Sequence, residues 1–166
     1  MRDDSLLFKM TRAKHFNVVE QASLRWPVDL LVPVPRFRLF IAADTTGSTV
    51  ESLSEFAESA LKQGMVYFSA WGPDCERFHD VVDEVILEDD LGKRLFIGPN
   101  RQATVMTTWH GRDTLDEALD FFLNSACPTD GFAVDSDYWL GICINKSAWA
   151  TVIRRKIESL NLPENE

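Results

Sequence analysis

The side chains best suited to chemistry in this sequence follow predicted strands. Cys75 and His79 are four residues apart, so a helix that opens at Gly72 and Pro73 would place them on one face. The dipole of such a helix favours the thiolate form of a cysteine in its first turn, and a histidine nearby can accept the proton. His110 follows another strand and could reach the same edge. Cys75, His79 and His110 are therefore the candidate catalytic residues.

The charges around Cys75 oppose that chemistry. Asp74, Glu76 and Asp80 carry negative charge close to the thiol, and negative charge disfavours a thiolate. A small buried cysteine is the simpler interpretation. The candidate residues also lack the paired spacing of a zinc site, so we expect no metal and no cofactor.

The loop from Asp44 to Ser48 comes between a predicted strand and a helix, and it contains hydroxyls and Gly47. This composition suits a phosphate, but neither the dinucleotide-binding nor the P-loop fingerprint is present. A phosphoaspartate enzyme would need a second aspartate where Thr46 stands. The simpler interpretation is a strand exit followed by a helix cap. Asp44, Thr46 and Ser48 are kept as candidate ligand-binding residues.

Trp71 and Trp109 both fall at the ends of predicted strands, and Asp74 lies close to Trp71. Aromatic side chains anchor both ligand pockets and protein interfaces, so these three residues are further ligand-binding candidates. Trp139 could join them, and packing in the core is the alternative for all the indoles.

The pair Asp135 and Asp137 matches a magnesium-binding D-x-D pattern but precedes a strand, so we interpret it as a turn.

Hydrophobic periodicity alternates between the strand and helix patterns from Phe37 onward. The predicted strands are 37–43, 65–70, 94–97, 103–109 and 138–145, and residues 84–88 are a further candidate strand. The helices between them begin at a capping box of Ser48 and Glu51, near Gly72, at Asp113 or Thr114, and at Ser147, and Gly64 and Pro128 end two of them. This alternation predicts a Rossmann-like, three-layer α/β/α sandwich with a mainly parallel sheet of about five strands.

The first 36 residues differ from the rest and are interpreted as an N-terminal extension of a single domain over residues 37–166. Residues 17–24 have a weak helical pattern. Pro27, Pro33 and Pro35 exclude a central strand, so this part is expected to form an extended arm. Its apolar residues are expected to pack against the body; they are Leu30, Leu31, Val32 and Val34.

The chain is acidic overall, and its charge is unevenly distributed. The 166 residues have a formal net charge of −9, and residues 74–137 contain 15 acids and 5 bases. Such a surface opposes nucleic-acid binding and suits either plain solubility or a basic partner.

There is no apolar run long enough to span a membrane and no secretory signal, so we expect a cytoplasmic protein without a membrane partner. The 3 cysteines, an odd number, fit a reducing compartment.

Three segments carry a resemblance to a known family: Trp71 to Glu76, Thr108 to His110, and Thr114 to Ala118. They resemble a small bacterial family catalogued only as a domain of unknown function. The resemblance covers residues 37–160 and implies a bacterial, cytoplasmic α/β protein. It implies no activity, so no catalytic roles are transferred from it.

Two hypotheses about function follow from these observations. The first is a non-enzymatic binding or accessory protein, of the immunity or regulatory kind, that uses an acidic and Trp-bearing surface to engage a basic protein partner. The alternative is a small enzyme, or a binder of a nucleotide or phosphate ligand, with its site at the carboxyl ends of the strands around Asp44, Cys75 and His110. The sequence does not indicate an oligomeric state.

Overall fold

The strands form one parallel sheet in the part of the chain that the structure describes, residues 16–93, 104–129 and 138–161 of a computed structural model. The strands are β1 (Phe16–Gln21), β2 (Phe37–Ala42), β3 (Met65–Trp71), β4 (Met106–Trp109) and β5 (Tyr138–Ile144). The helices are α1 (Val50–Gln63), α2 (Cys75–Glu88), α3 (Leu115–Asn124) and α4 (Ser147–Asn161). The strand order is β1-β5-β2-β3-β4, and all the pairs are parallel.

Helices cover both faces of this sheet, which confirms the predicted three-layer α/β/α architecture. Helices α1 and α2 pack together on one face, and α3 and α4 pack together on the other. Strand β2 is buried along its whole length because it has a helical layer on each side. Its side chains alternate, so Leu39 and Ile41 enter one core while Phe40 and Ala42 enter the other.

Side-chain caps begin α1 and α3, although some helix ends differ from the prediction. Thr49, and not Ser48, caps α1: its hydroxyl accepts a hydrogen bond from the amide of Ser52 at 3.1 Å. Thr114, one of the two residues predicted to cap α3, does so in a capping box with Glu117. Helix α3 ends at Asn124, before the proline that was expected to terminate it.

The predicted strand at residues 84–88 is wrong, because these residues form the last turns of α2. Val85 and Ile86 lie one helical turn beyond Val82 and are buried on the same side, so the helical period continues. Helix α2 also begins at Cys75, a little later than predicted, and a π-helical turn over Asp89–Lys93 follows it. The predicted strand 94–97 and the turn at Asp135 to Asp137 lie outside the described residues.

The N-terminal part contributes a strand, so the helical interpretation of residues 17–24 is wrong. Phe16–Gln21 forms β1 at one edge of the sheet, where it pairs with β5. The following residues run as an arm against the core, as expected, with Leu24, Trp26, Leu30 and Val32 partly buried on it. Leu31 departs from the expectation, since its side chain is 85% exposed.

A buried arginine was not foreseen within the apolar run of β2. Arg38 is only 3% exposed, and its guanidinium carbon lies 4.5 Å from the centroid of a Trp139 ring. Its Nη1 donates a hydrogen bond to the carbonyl of Ala126 at 2.9 Å. The ring and the carbonyl compensate for the loss of water around the charge.

None of the helices in the described ranges is long and apolar enough to cross a membrane.

Replacing Gly64 with Ala is expected to lower the free energy of unfolding by about 2 kcal/mol or more. Gly64 has a φ of 104°, and an added Cβ would lie 2.0 Å from the carbonyl oxygen of Pro35. Urea unfolding of G64A measures the loss. The control is G47A, because a Cβ at Gly47 meets nothing within 4 Å. Equal stability of the two variants would contradict the packing of the arm against the end of α1.

Candidate functional site

The carboxyl ends of the parallel strands bring the predicted site residues to one edge of the sheet, where two clefts open. The β3–β4 cleft has a volume of about 480 Å³ and is lined by residues 71–76 and 109–113. The β2–β5 cleft has a volume of about 360 Å³ and is lined by residues 22–24, 44, 46–48 and 144–146. Apart from His79, which lines neither cleft, the sequence candidates therefore divide between two sites.

Cys75 lies in the β3–β4 cleft, but its thiol is only 2% exposed. The loop after β4 closes over it: a Cβ added at Gly111 would lie 3.6 Å from the Sγ atom. Burial raises the pKa of the Cys75 thiol above its usual value, and the charge of Glu76 adds to this effect, against hydrogen bonds from nearby backbone groups. The thiol is thus held in its protonated form at neutral pH, which does not favour nucleophilic chemistry.

His110 also lines this cleft and is 8% exposed. Its Nδ1 lies 2.8 Å from the Asp113 carboxylate, and since a carboxylate only accepts, this nitrogen donates. Its Nε2 lies 3.3 Å from the hydroxyl of Thr108, which itself donates to Ser69 at 3.2 Å. An imidazole oriented by a carboxylate is a component of acid–base catalysis. Here both ring nitrogens lie beside side-chain oxygens, and the contacts tie β4 to β3 and to the start of α3.

His79 is held away from Cys75, on the outer part of α2. Its Nδ1 lies 3.0 Å from the Asp80 carboxylate, and its Nε2 lies 3.0 Å from the hydroxyl of Thr107 in β4. The same hydroxyl donates to Asp83 at 2.6 Å. These contacts fasten α2 to β4. His79 is not among the residues that line the β3–β4 cleft, so the predicted cysteine–histidine face does not form a single site.

Trp71 and Trp109 line the same cleft, as the aromatic hypothesis required. The indole of Trp71 is fixed by a 2.9 Å hydrogen bond from Nε1 to the carbonyl of Asp113 and by an edge-on contact with Trp149. Trp109 is 38% exposed. Trp139 does not join them, because it is fully buried against Phe122, which is the core-packing alternative.

Arg77 connects the two clefts and was not identified from the sequence. Its Nε contacts the carboxylate of Asp74 at 2.6 Å, and Asp74 itself has a left-handed backbone with a φ of 63°. Its Nη2 donates to the carbonyls of Thr45 and Ser48 at 2.6 and 2.9 Å. Arg77 therefore holds the loop after β2 against the first turn of α2. The only available signal was its position in a helix that follows a strand end.

The β2–β5 cleft contains the predicted residues Asp44, Thr46 and Ser48. The Asp44 carboxylate accepts hydrogen bonds from the hydroxyl of Thr46 at 2.6 Å and from its amide at 3.0 Å. These two bonds lower the pKa of Asp44 below its usual value. Lys146 lines the opposite side, with its Nζ 5.0 Å from the centroid of the Trp149 ring. The sequence placed Lys146 after a strand but did not assign it to a site.

Within the described ranges, no group of three or more His, Cys, Asp or Glu side chains is arranged to hold a metal ion.

The fold and these clefts define a class: a parallel α/β sandwich with clefts at the carboxyl edge of the sheet. The chain belongs to the family described as a domain of unknown function (DUF7684), whose model matches residues 16–159. The match begins with β1, and thus includes more of the N-terminal part than the resemblance noted from the sequence. No curated protein and no solved structure matches the chain.

The three thiols of the native chain are expected to react with iodoacetamide in the order of their exposure. Cys127 is exposed, whereas Cys75 and Cys143 are buried, and burial raises the pKa of Cys143 to about 12. Peptide mapping of an alkylation time course at pH 7 should show Cys75 reacting at least about tenfold more slowly than Cys127. A raised pKa shifts thiolate formation to higher pH, so the Cys75 rate should rise at higher pH than the rate of an ordinary thiol. Faster reaction at Cys75 than at Cys127 would contradict this assignment.

Proposed function

We propose that this protein binds a basic protein or peptide through the exposed face of α2, without catalysing a reaction. The observation that carries the proposal is the excess of exposed carboxylates on this helix. We name the following set the acidic face: Glu76, Asp80, Asp83, Glu84 and Glu88, all exposed. The one arginine of the helix, Arg77, is directed to Asp74 and to the loop after β2 and does not neutralise this face.

The acidic face differs from the surface of α3 in how its charges are matched, although Asp80 and Asp83 contact His79 at 3.0 and 3.5 Å. On α3, Asp116 and Asp120 both contact Lys156 of α4, at 3.1 and 2.7 Å. Glu76 and Glu84 have no ion-pair partner among the described residues. Unmatched carboxylates on one helix create a negative field that attracts a partner of opposite charge and orients its approach.

An exposed indole lies beside the acidic face and supports a protein partner. Trp109 of β4 is 38% exposed, and β4 packs directly against α2. Stable interfaces combine aromatic or methionine anchors with a polar rim. The combination favours a macromolecular partner with both basic and apolar groups over a small cation in solution.

A second candidate, a nucleotide or phosphate binder, is supported by the position of the β2–β5 cleft. From β2 the chain moves outward to β3 and β4 and then returns to β5 on the other side of β2, so the strand order reverses there. Ligands of open α/β sheets bind at such a reversal point. Lys146 supplies a cation in this cleft, but the ionised Asp44 opposes a phosphate, so we rank this function second.

We further propose a cytoplasmic location in a bacterial cell, with the kind of accessory or immunity role that a binding protein performs. The free state of Cys75, Cys127 and Cys143 supports a reducing compartment.

Fluorescence anisotropy with a labelled peptide of alternating Arg and Ser tests the binding function. At low salt the peptide should bind the full chain, and affinity should fall as salt rises from about 20 to about 200 mM. The double variant Asp80→Asn/Glu84→Gln should weaken binding by about five- to tenfold, because it removes two carboxylates of the acidic face.

The control for this experiment is Glu51→Gln/Glu55→Gln on α1, which changes the net charge by the same amount at two exposed positions. The control variant should change affinity by less than about twofold. Equal weakening by both variants, or no binding at low salt, would refute the acidic face as the docking surface. Salt-sensitive self-association that is lost on neutralising Arg154 and Arg155 of α4 would also overturn the proposal, in favour of a second copy of the chain.

A further inference from the structure

We propose that the β3–β4 cleft receives a single guanidinium or ammonium group of the bound partner. This inference rests on the proposed function and names the anchor that the acidic face alone does not provide. The cleft begins where the acidic face ends, because Glu76 belongs to both. A basic segment lying along α2 would therefore reach the cleft with its next side chain.

The walls of the cleft offer two indole rings to a cation. Trp109 is partly exposed, and Trp71 is held in one orientation by its hydrogen bond to Asp113 and its contact with Trp149. Indole faces attract cations through their negative quadrupole, more strongly than other aromatic side chains do. The same edge already contains such a contact, since the Nζ of Lys146 lies 5.0 Å from the ring of Trp149.

The charges that line the cleft are mostly negative. Asp74, Glu76 and Asp113 contribute carboxylates, and Arg112 contributes one positive charge. Asp74 is already paired with Arg77, and Asp113 orients His110. Glu76 is the carboxylate of this lining that has no partner among the described residues, so it is the group that a bound cation would meet.

Two helix N-termini also face this region, and their dipoles alone would favour an anion. Helix α2 begins at Cys75 and α3 at Leu115, next to the residues of the cleft lining. The first turns of these helices contain Glu76 on α2 and both Asp116 and Glu117 on α3, which offset the dipoles. The carboxylates thus outweigh the helix dipoles and favour a cation, and binding of an anion would contradict the proposal.

The size of the cleft fits one side chain and its hydration. Its volume of about 480 Å³ is in the range of small-ligand sites, and it is open to solvent on the side of Trp109. An arginine stem can pack along the indoles while its planar head reaches Glu76. Lysine presents the same charge with less ring stacking, so arginine is expected to bind more tightly.

Fluorine NMR of the full chain labelled with 5-fluorotryptophan tests this inference. The 5 tryptophans give separate signals, which single Trp→Phe variants assign. Titration with N-acetylarginine amide should shift the signals of Trp71 and Trp109 saturably, with a dissociation constant in the millimolar range. The signals of Trp26 and Trp139 should not move, and they also report that the fold is intact.

Matched probes and variants separate the contribution of charge to binding from that of apolar contact. N-acetylnorleucine amide has an apolar stem without the charge, and N-acetylaspartate amide has the opposite charge. Glu76→Gln should weaken arginine binding by about tenfold, and Arg112→Gln should strengthen it by about threefold. Saturable shifts of equal size with norleucine, saturable shifts with aspartate, or no saturable shift with arginine would each overturn the proposal.

The failure of this inference is distinguishable from the failure of the proposed function. An Arg-Ser peptide that binds through the acidic face but leaves the Trp71 and Trp109 signals unmoved overturns only the cleft as an anchor. A peptide that does not bind at all overturns the function, whereas saturable shifts with the single amino acid would still support the cleft as a cation site.

Discussion

The parallel direction of the strands is the constraint on which the rest of this structure depends. Parallel strands need a connection that returns to the starting end of the sheet. Helices α1, α2 and α3 provide it between β2, β3, β4 and β5, and the arm of residues 22–36 provides it between β1 and β2. Each strand therefore ends at the same edge, and the loops that leave β2, β3, β4 and β5 meet there. The clefts are consequences of this topology, and the residues in them determine what they bind.

The polar side chains at this edge mostly hold helices onto strands. Arg77 fixes the loop after β2, His79 fastens α2 to β4, and His110 joins β4, β3 and α3. A histidine whose two nitrogens both lie beside side-chain oxygens, next to a thiol with a raised pKa, is a poor starting point for catalysis. Among the described residues, Glu76 and Glu84 have no ion-pair partner and Trp109 is partly exposed, and the proposed function rests on these three side chains.

The sequence predicted most of the architecture because its elements carry strong local patterns. Strands β2, β3 and β5 are short apolar runs, Gly64 marks the end of α1, and the start of α3 was narrowed to Asp113 or Thr114. Strand β1 was missed because its partner is distant in the chain: Phe16 lies opposite Trp139, and nothing local indicates this pairing. Residues 84–88 were misinterpreted because a short apolar run fits a strand as well as a helix end.

The sequence predicted which edge of the sheet holds the candidate site residues, but it did not predict which of these residues contact each other. That Asp44, Trp71, Asp74, Cys75 and His110 share one edge followed from their places after strands. Which of them touch depends on strand order, and the order separates Asp44 from His110 by placing β3 between β2 and β4. The role of Arg77 and the burial of Arg38 depend on tertiary contacts that no spacing in the sequence encodes.

The central claim is that recognition occurs on α2 and in the β3–β4 cleft, and mapping of amide shifts tests it most directly. A ¹⁵N-labelled chain would be titrated with the Arg-Ser peptide, and each amide signal followed. We predict that the amides of α2 and of residues 109–113 shift together in one saturable step, while those of α4 and residues 22–24 remain unchanged. Shifts confined to α4 or to the β2–β5 cleft would contradict the account.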